Sequence, residues 1–417
     1  MKNLTFIAIL VSSFTFQVSG LDLNGFVDAR YGIRTQSDPN SDQETLSELR
    51  LQLESLWYHD LFTLTARSDF ITDGVANNHD HIDLESGEGS IDLREFNVQF
   101  TPIDWMDVKL GRQILTWGTG DLLFINDLFP KDWKSFFAGR DVEYLKAPSD
   151  ALFMSFFPSF ANIDIAYTPR FDSSRFIDGE RFSYWGGAGL TGAPLQTDKP
   201  DDWFSDDEIA VRISRNIKGW ETAAYFYNGF WKTPKGFDPA SGQNRFPKLS
   251  VYGTSVRGAL AGGIANLEAG YYDSREDRDG TDLWVPNNQV RLLAGYEHEI
   301  IHDLTGAVQY YIEHMMDHDE YLATFPGIPG TEADENRHVL TLRLTQMLMN
   351  QNLTLSFFTY WSPSDHDGYI RPSAAYKLTD NWKVEASGNF FFGRENHTFF
   401  GQFEDNNNIG LAARYSF

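Results

Sequence analysis

Residues 408–417 read NIGLAARYSF. In an extended chain Ile409, Leu411, Ala413, Tyr415 and Phe417 fall on one side, and Asn408, Gly410, Ala412, Arg414 and Ser416 on the other. A period of two marks a strand lying between two unlike environments. The same alternation recurs upstream. Residues 47–55 read SELRLQLES, with Leu49, Leu51 and Leu53 set against Glu48, Arg50, Gln52 and Glu54. Phe96, Val98 and Phe100 oppose Glu95, Asn97 and Gln99, and Ile209, Val211 and Ile213 oppose Glu208, Ala210, Arg212 and Ser214. Leu340, Leu342 and Leu344 oppose Thr341, Arg343 and Thr345. A soluble sandwich also alternates. Here, however, the polar side carries charges and amides in mid-strand, as a wet interior allows. The other side is steadily aliphatic or aromatic, as lipid requires.

The connections sharpen this reading. Short turns fall at His59-Asp60, Pro102 to Trp105, Ser159 to Ala161, Lys218-Gly219, Gly262-Gly263, Ile301 to Asp303, Asn350 to Asn352 and Thr379 to Asn381. Between them lie longer segments, at 73–89, 116–150, 170–205, 231–247, 275–287, 316–335 and 394–406. Tight turns at one end and long loops at the other are the pattern of barrels in the bacterial outer membrane, with turns in the periplasm and loops outside. The expected fold is therefore all-β, a transmembrane antiparallel β-barrel of about 18 strands, an even number that closes antiparallel. Aromatic residues near strand ends, among them Trp57, Tyr58, Trp105, Trp220, Tyr310, Tyr311, Trp361 and Trp382, suit the two membrane interfaces. A terminal Phe417 on an alternating strand resembles the C-terminal signal of outer-membrane proteins. That resemblance implies the barrel-assembly machinery as a partner, with outer-membrane lipid as the surroundings.

Composition agrees. Aromatics make up 15% of the chain and glycines number 34, yet the mean hydropathy is negative. Alternating strands hide their apolar face from any averaging window. Residues 1–20 have a basic Lys2, an apolar stretch from Leu4 to Phe16, and Val18 and Gly20 at the positions a signal-peptide cleavage site favours. The expected division is a signal peptide at 1–20 and a barrel from 21 to 417. The net charge of −25 becomes −26 once Lys2 is removed, which argues against a nucleic-acid partner. Cysteine is absent, so neither thiol catalysis nor thiol metal ligation is available.

No Walker loop, dinucleotide fingerprint or HExxH occurs, so no cofactor and no enzymatic activity are expected. His79 and His81 beside Asp80 and Asp83, and His314 and His318 beside Asp317 and Asp319, fit solvated acidic loops better than metal sites. Candidate lumen groups come from the inward face. Arg50, Arg67, Arg212, Arg291, Arg343, Arg371 and Arg414 are interleaved with Glu48, Glu54, Asp69, Glu95, Glu208, Glu297 and Glu313. Facing rows of opposite sign suggest a salt-bridged wall crossing the lumen.

One stretch breaks the pattern. Residues 111–132 read GRQILTWGTGDLLFINDLFPKD. Val108 and Leu110 share a face, and strict parity places Arg112 on it too. An arginine on the lipid face at depth costs about 2–4 kcal/mol. A bulge at Gly111 turning Arg112 inward, or a place at the rim, removes that cost. Beyond Gln113, the Trp117 turn leads into Leu122, Leu123, Phe124, Ile125, Leu128 and Phe129, too apolar for a loop standing in water. Folded inward over about 116–150, this loop packs those groups on the wall and offers Asp121, Asn126, Asp127, Lys131 and Asp132 to the pore. GRQILTWG, then INDLFPKD, then EYLKAPSDALFMSFFP resemble the alginate-export-like outer-membrane barrels over roughly 93–170. That family's polyanion export implies an arginine-lined lumen, from which the mixed charge here departs. The sequence thus points to a porin-like channel for passive passage of a small hydrophilic or amphipathic solute. The binding candidates are Arg50, Arg67, Glu95, Arg112, Gln113, Trp117, Asp121, Asn126, Asp132, Arg212, Glu313, Arg343 and Arg371. An export conduit with periplasmic partners, an outer-membrane enzyme and a closed structural or adhesin-like barrel are the alternatives.

Overall fold

The computed structural model describes residues 21–417 apart from positions 77, 83, 326 and 329. Residues 1–20, read above as a signal peptide, and the side chains of His79 and His81 lie outside the described residues. Strands run Leu21–Arg34, Glu44–His59, Phe62–Asp73, Gly89–Ile103, Met106–Ile114, Pro148–Phe156, Asn162–Thr168, Glu208–Ile217 and Trp220–Phe230. They continue Lys248–Leu260, Gly263–Ser274, Gln289–Ile301, Leu304–Met315, Asn336–Leu348, Leu353–Ser362, Asp367–Lys377, Trp382–Gly393 and Asn408–Ser416. Each pairs antiparallel with the next, and the last closes on the first, Phe26 opposite Ser416 and Arg34 opposite Asn408. The sheet holds nineteen strands among the described residues; the short Asn78–Ile82 only adds in parallel to Gly89–Ile103, so eighteen form the closed barrel. Closure leaves no unpaired edge, which a bilayer's hydrocarbon core demands.

Parity decides which side chains meet lipid. In the last strand Leu411 is 69% exposed on the outer face, while Arg414 points inward to Asp28 at 2.7 Å. Trp57, Tyr58, Trp105, Trp361 and Trp382 stand exposed near strand ends. Tyr311 departs from the expected aromatic belt: it is buried inside, its hydroxyl donating to Glu313 at 2.7 Å. The short turns use left-handed backbone where hairpin twist needs it, at Lys218-Gly219 (φ 55° and 90°) and Ala261-Gly262 (φ 47° and 84°).

The strand Met106–Ile114 corrects one expectation. Its ladder passes Gly111 without a register shift, with Arg112 opposite Phe96 on one side and Asp150 on the other. Residues directly opposite share a face, and Phe96 and Leu110 are exposed there. Arg112 therefore lies on the outer face near the long-loop rim and not in the lumen. Its charge is met by Asp150 at 2.9 Å, by the Leu93 carbonyl at 2.6 Å and by the Leu84 carbonyl of the preceding loop. The bulge sits one strand earlier. Arg67 pairs with Glu95 but Ser68 with Leu93, so Arg94 is the extra residue, and both Arg94 and Glu95 find partners inside.

Gly111 still matters. Its φ is +118°, and a Cβ there would lie 2.4 Å from the Phe96 carbonyl oxygen. We expect Gly111→Val to destabilise the folded barrel by more than about 1–3 kcal/mol. The folded-to-unfolded gel shift on heating would occur at a lower temperature than in wild type; an unchanged transition would refute the assignment.

Candidate functional site

After Ile114 the chain leaves the wall and rejoins it at Pro148. The apolar residues between them do not face water. Leu122, Ile125, Phe129, Phe136, Phe137 and Leu145 are buried in one cluster with the inward-facing Tyr272, Leu293, Phe358, Tyr360, Tyr369 and Phe391. Trp117 joins them edge-on to Phe129, centroids 4.9 Å apart.

Polar contacts fix the segment's path. Thr119 and Gly120 donate their backbone N–H groups to one oxygen of Glu268, the second at 2.8 Å, and Asn126 Nδ2 donates to the other at 3.0 Å. The Asp121 N–H donates to Gln309 at 2.7 Å, and its carboxylate receives Arg343, with Nη2 at 2.8 Å. Tyr272 donates to the Ile125 carbonyl at 2.6 Å, and Tyr360 to that of Leu122. Gly253 leaves room for Asn126, since a Cβ there would fall 1.7 Å from its Oδ1. Lys131 is buried against Asp127 at 2.9 Å; burial lowers its pKa, and the Asp127 charge opposes that shift.

A short helix, Trp133–Ala138, follows. Asp132 caps it by accepting from Ser135 N at 2.7 Å, and Gly139 ends it at φ 89°. Arg371 donates to the Arg140 carbonyl at 2.7 Å and lies 4.5 Å over the Phe136 ring. Arg140 pairs with Glu48 at 2.7 Å. Arg50 pairs with Glu48 and Asp69 and stacks on Tyr144 at 4.3 Å. Arg94 donates to the Lys146 carbonyl at 2.7 Å. The segment is thus tied to strands from the beginning, middle and end of the chain.

The ion pairs inside the barrel differ in their access to water. Toward the long loops the Arg50–Glu48 and Arg50–Asp69 side chains, beside the inward segment, are sealed at 0–3% exposure, whereas Arg337–Asp365 stays 27% and 17% exposed. Toward the short turns the pairs meet water. Arg67–Glu95 at 2.8 Å is 22% and 15% exposed, and Arg212 approaches Asp164 at 3.8 Å and bonds Glu221. Asp121–Arg343 marks the boundary, 39% and 27% exposed. These pairs run along the wall or onto the inward segment, while Arg291 meets Glu313 at 3.1 Å between adjacent strands.

Of the sequence candidates, Asp121, Asn126, Asp132, Arg343 and Arg371 converge on the 115–147 segment, and Arg50 joins them through Tyr144. Arg67, Glu95 and Arg212 lie in the open half. Gln113 is inward but fully buried, its amide donating to the Ala151 carbonyl at 2.9 Å. Arg112 is outside. Sequence reasoning missed Glu268 and Gln309, which inward parity in their strands would have found. It also missed Arg175 and Arg181, which lie in a segment with no period to read. His314 approaches Asn336 Oδ1 at 3.0 Å, and His318 the Ala333 carbonyl at 2.9 Å.

The architecture and the charged interior define an outer-membrane β-barrel with an inward-folded segment. Among solved structures, the chain is similar to Acinetobacter baumannii OccAB3, with a TM-score of 0.53 at 11% identity over 96% of this chain and 100% of that one. Salmonella typhi OmpF in complex with daunomycin aligns with a TM-score of 0.44 at 11% identity, covering 95% and 97% of the two chains. At such identity the likeness to OccAB3 concerns the fold. No family model matches the chain, so the alginate-export-like resemblance gains no support there. No curated protein matches it either.

Proposed function

We propose that this barrel is a porin-like channel for passive passage of small hydrophilic or amphipathic solutes, with residues 115–147 as its constriction. The observation that carries this reading is the step in the lumen at Asp121–Arg343. Below it the Arg67–Glu95 and Arg212–Asp164 pairs meet water; above it the Arg50–Glu48 and Arg50–Asp69 pairs are sealed behind the segment. An eighteen-stranded barrel is wide enough for an aqueous channel unless something inside narrows it. Passage by diffusion calls on no cofactor.

The balance of charge argues against a polyanion conduit of the alginate-export kind. Arg50, Arg67, Arg212, Arg291, Arg343 and Arg414 each have a carboxylate partner, and Arg371 is spent on backbone carbonyls. A solute then meets alternating sign, which selects by size and dipole more than by net charge. The test is ion selectivity in a planar bilayer under a salt gradient. Arg343→Gln leaves Asp121 uncompensated and shifts the reversal potential toward cations; Asp121→Asn leaves Arg343 uncompensated and shifts it toward anions. Identical reversal potentials in both variants and wild type would remove this pair from the conduction path.

A further inference from the structure

After the strand Asn162–Thr168 the chain turns back into the barrel. Phe171 and Phe182 are fully buried, and Arg175 and Arg181 are buried beside them. Arg175 joins Asp92 at 2.7 Å to Asp132 at 3.2 Å, the latter being the cap of the helix in the constriction segment. Arg181 joins Asp73 at 2.7 Å to Glu88 at 3.1 Å. The backbones pair as well: Arg175 N donates to the Lys131 carbonyl at 2.8 Å, and Trp133 N to the Arg175 carbonyl at 2.9 Å. This second inward segment lies against the first and binds it to the wall.

Its near end is a junction of carboxylates. Asp172 N donates to Glu208 at 3.2 Å, and the Asp172 carboxylate accepts from Asp150 N at 3.0 Å. From the strand side Glu208 also holds Lys232 at 2.6 Å and the Tyr227 hydroxyl, and Lys232 donates to the Asp172 carbonyl at 2.9 Å. Asp150 has Arg112 as its cation. Both cations are engaged by other carboxylates, so Asp172 faces Glu208 and Asp150 with its own charge unpaired.

We propose that residues 170–183 are a strap holding the constriction segment in place, and that protonation of Asp172 tightens it. The inference rests on reading 115–147 as the constriction. Burial, and then the charge of Glu208, push the Asp172 carboxyl up to about 6. A carboxyl raised in the seated state above its ordinary value binds its proton more tightly when seated. The contribution to seating is complete below the ordinary carboxyl value of about 4 and is lost as pH rises from there through about 6. Above that pH the ionised Asp172 repels Glu208; below it the neutral group does not.

The test is hydrogen exchange of peptides spanning 171–183, with conductance recorded on the same preparations. Asp172→Asn mimics the protonated state. At pH 7.5 the wild-type strap exchanges about threefold or more faster than the variant, and at pH 5 the gap narrows. Equal exchange at both pH values overturns the strap's proton control. Should the variant fail to fold, wild type alone decides: protection of 171–183, corrected for intrinsic rate, rises at pH 5 or the proposal fails. A barrel that conducts with pH-independent strap exchange defeats this inference and leaves the channel reading standing. PH-dependent exchange in a barrel that passes no current defeats the constriction reading and leaves the strap's proton response intact.

Discussion

A chain lacking residues 122–137 conducts several-fold more current per channel than the intact barrel. The deletion removes Leu122, Ile125, Phe129, Phe136 and Phe137 from the lumen, where they pack on Tyr272, Tyr360, Tyr369 and Phe391. It leaves all eighteen strands and their ladders untouched. Barrels of this strand number hold an aqueous path when side chains and loops do not fill them. The apolar cluster exists only because the segment lies inside, so its loss opens cross-section more than it weakens the wall. Single-channel recording in planar bilayers reads the effect. Conductance equal to wild type would mean the segment does not narrow the path, and no conductance from either chain would sink the channel reading.

Glu268→Leu should release the tip of the segment while the barrel stays closed. Glu268 is buried and receives the Thr119 and Gly120 N–H groups and the Asn126 amide. Leucine leaves the half-buried Thr119 and Gly120 N–H groups without their acceptor, each costing about 1–3 kcal/mol, while Asn126 keeps the Thr254 and Ala269 carbonyls at 3.3 and 3.4 Å. Asp121 keeps Arg343 and Gln309, and Asn266, Tyr360 and Tyr272 still reach the Thr119, Leu122 and Ile125 carbonyls, so the loosening centres on the 119–120 turn and leaves the aromatic cluster seated. Amide exchange at 119–120 rises at least tenfold, since about 1.4 kcal/mol is one decade, and channel current becomes noisy between two levels. Glu268→Gln, which keeps an acceptor, falls between. Unchanged exchange at the tip would show that the aromatic cluster alone seats it.

The wall was legible because a barrel strand reports its two environments residue by residue. Leu49, Leu51 and Leu53 against Glu48, Arg50 and Gln52 is a statement about lipid and water that needs no partner to interpret. The tight turns gave the strand count for the same local reason. The interior resisted because its contacts are distant in sequence. Arg175 finds Asp92 83 residues away and Arg181 finds Asp73 108 away, from a segment that reads as an ordinary polar loop. At Arg112 parity and the rim position stand, while no bulge forms at Gly111. The arginine's place on the outer face was readable, but Asp150 and the Leu84 carbonyl, which make that place tolerable, belong to other elements.

The most direct test uses the absence of cysteine in the natural chain. Asp121→Cys places one thiol beside Arg343, at the step between the wet and sealed halves. A charged, thiol-reactive methanethiosulfonate is added while current is recorded. Each modification lowers the current of its channel in a discrete step, with wild type unaffected, if residues 115–147 form the constriction. Complete labelling, verified by mass, with no change in current would contradict that reading.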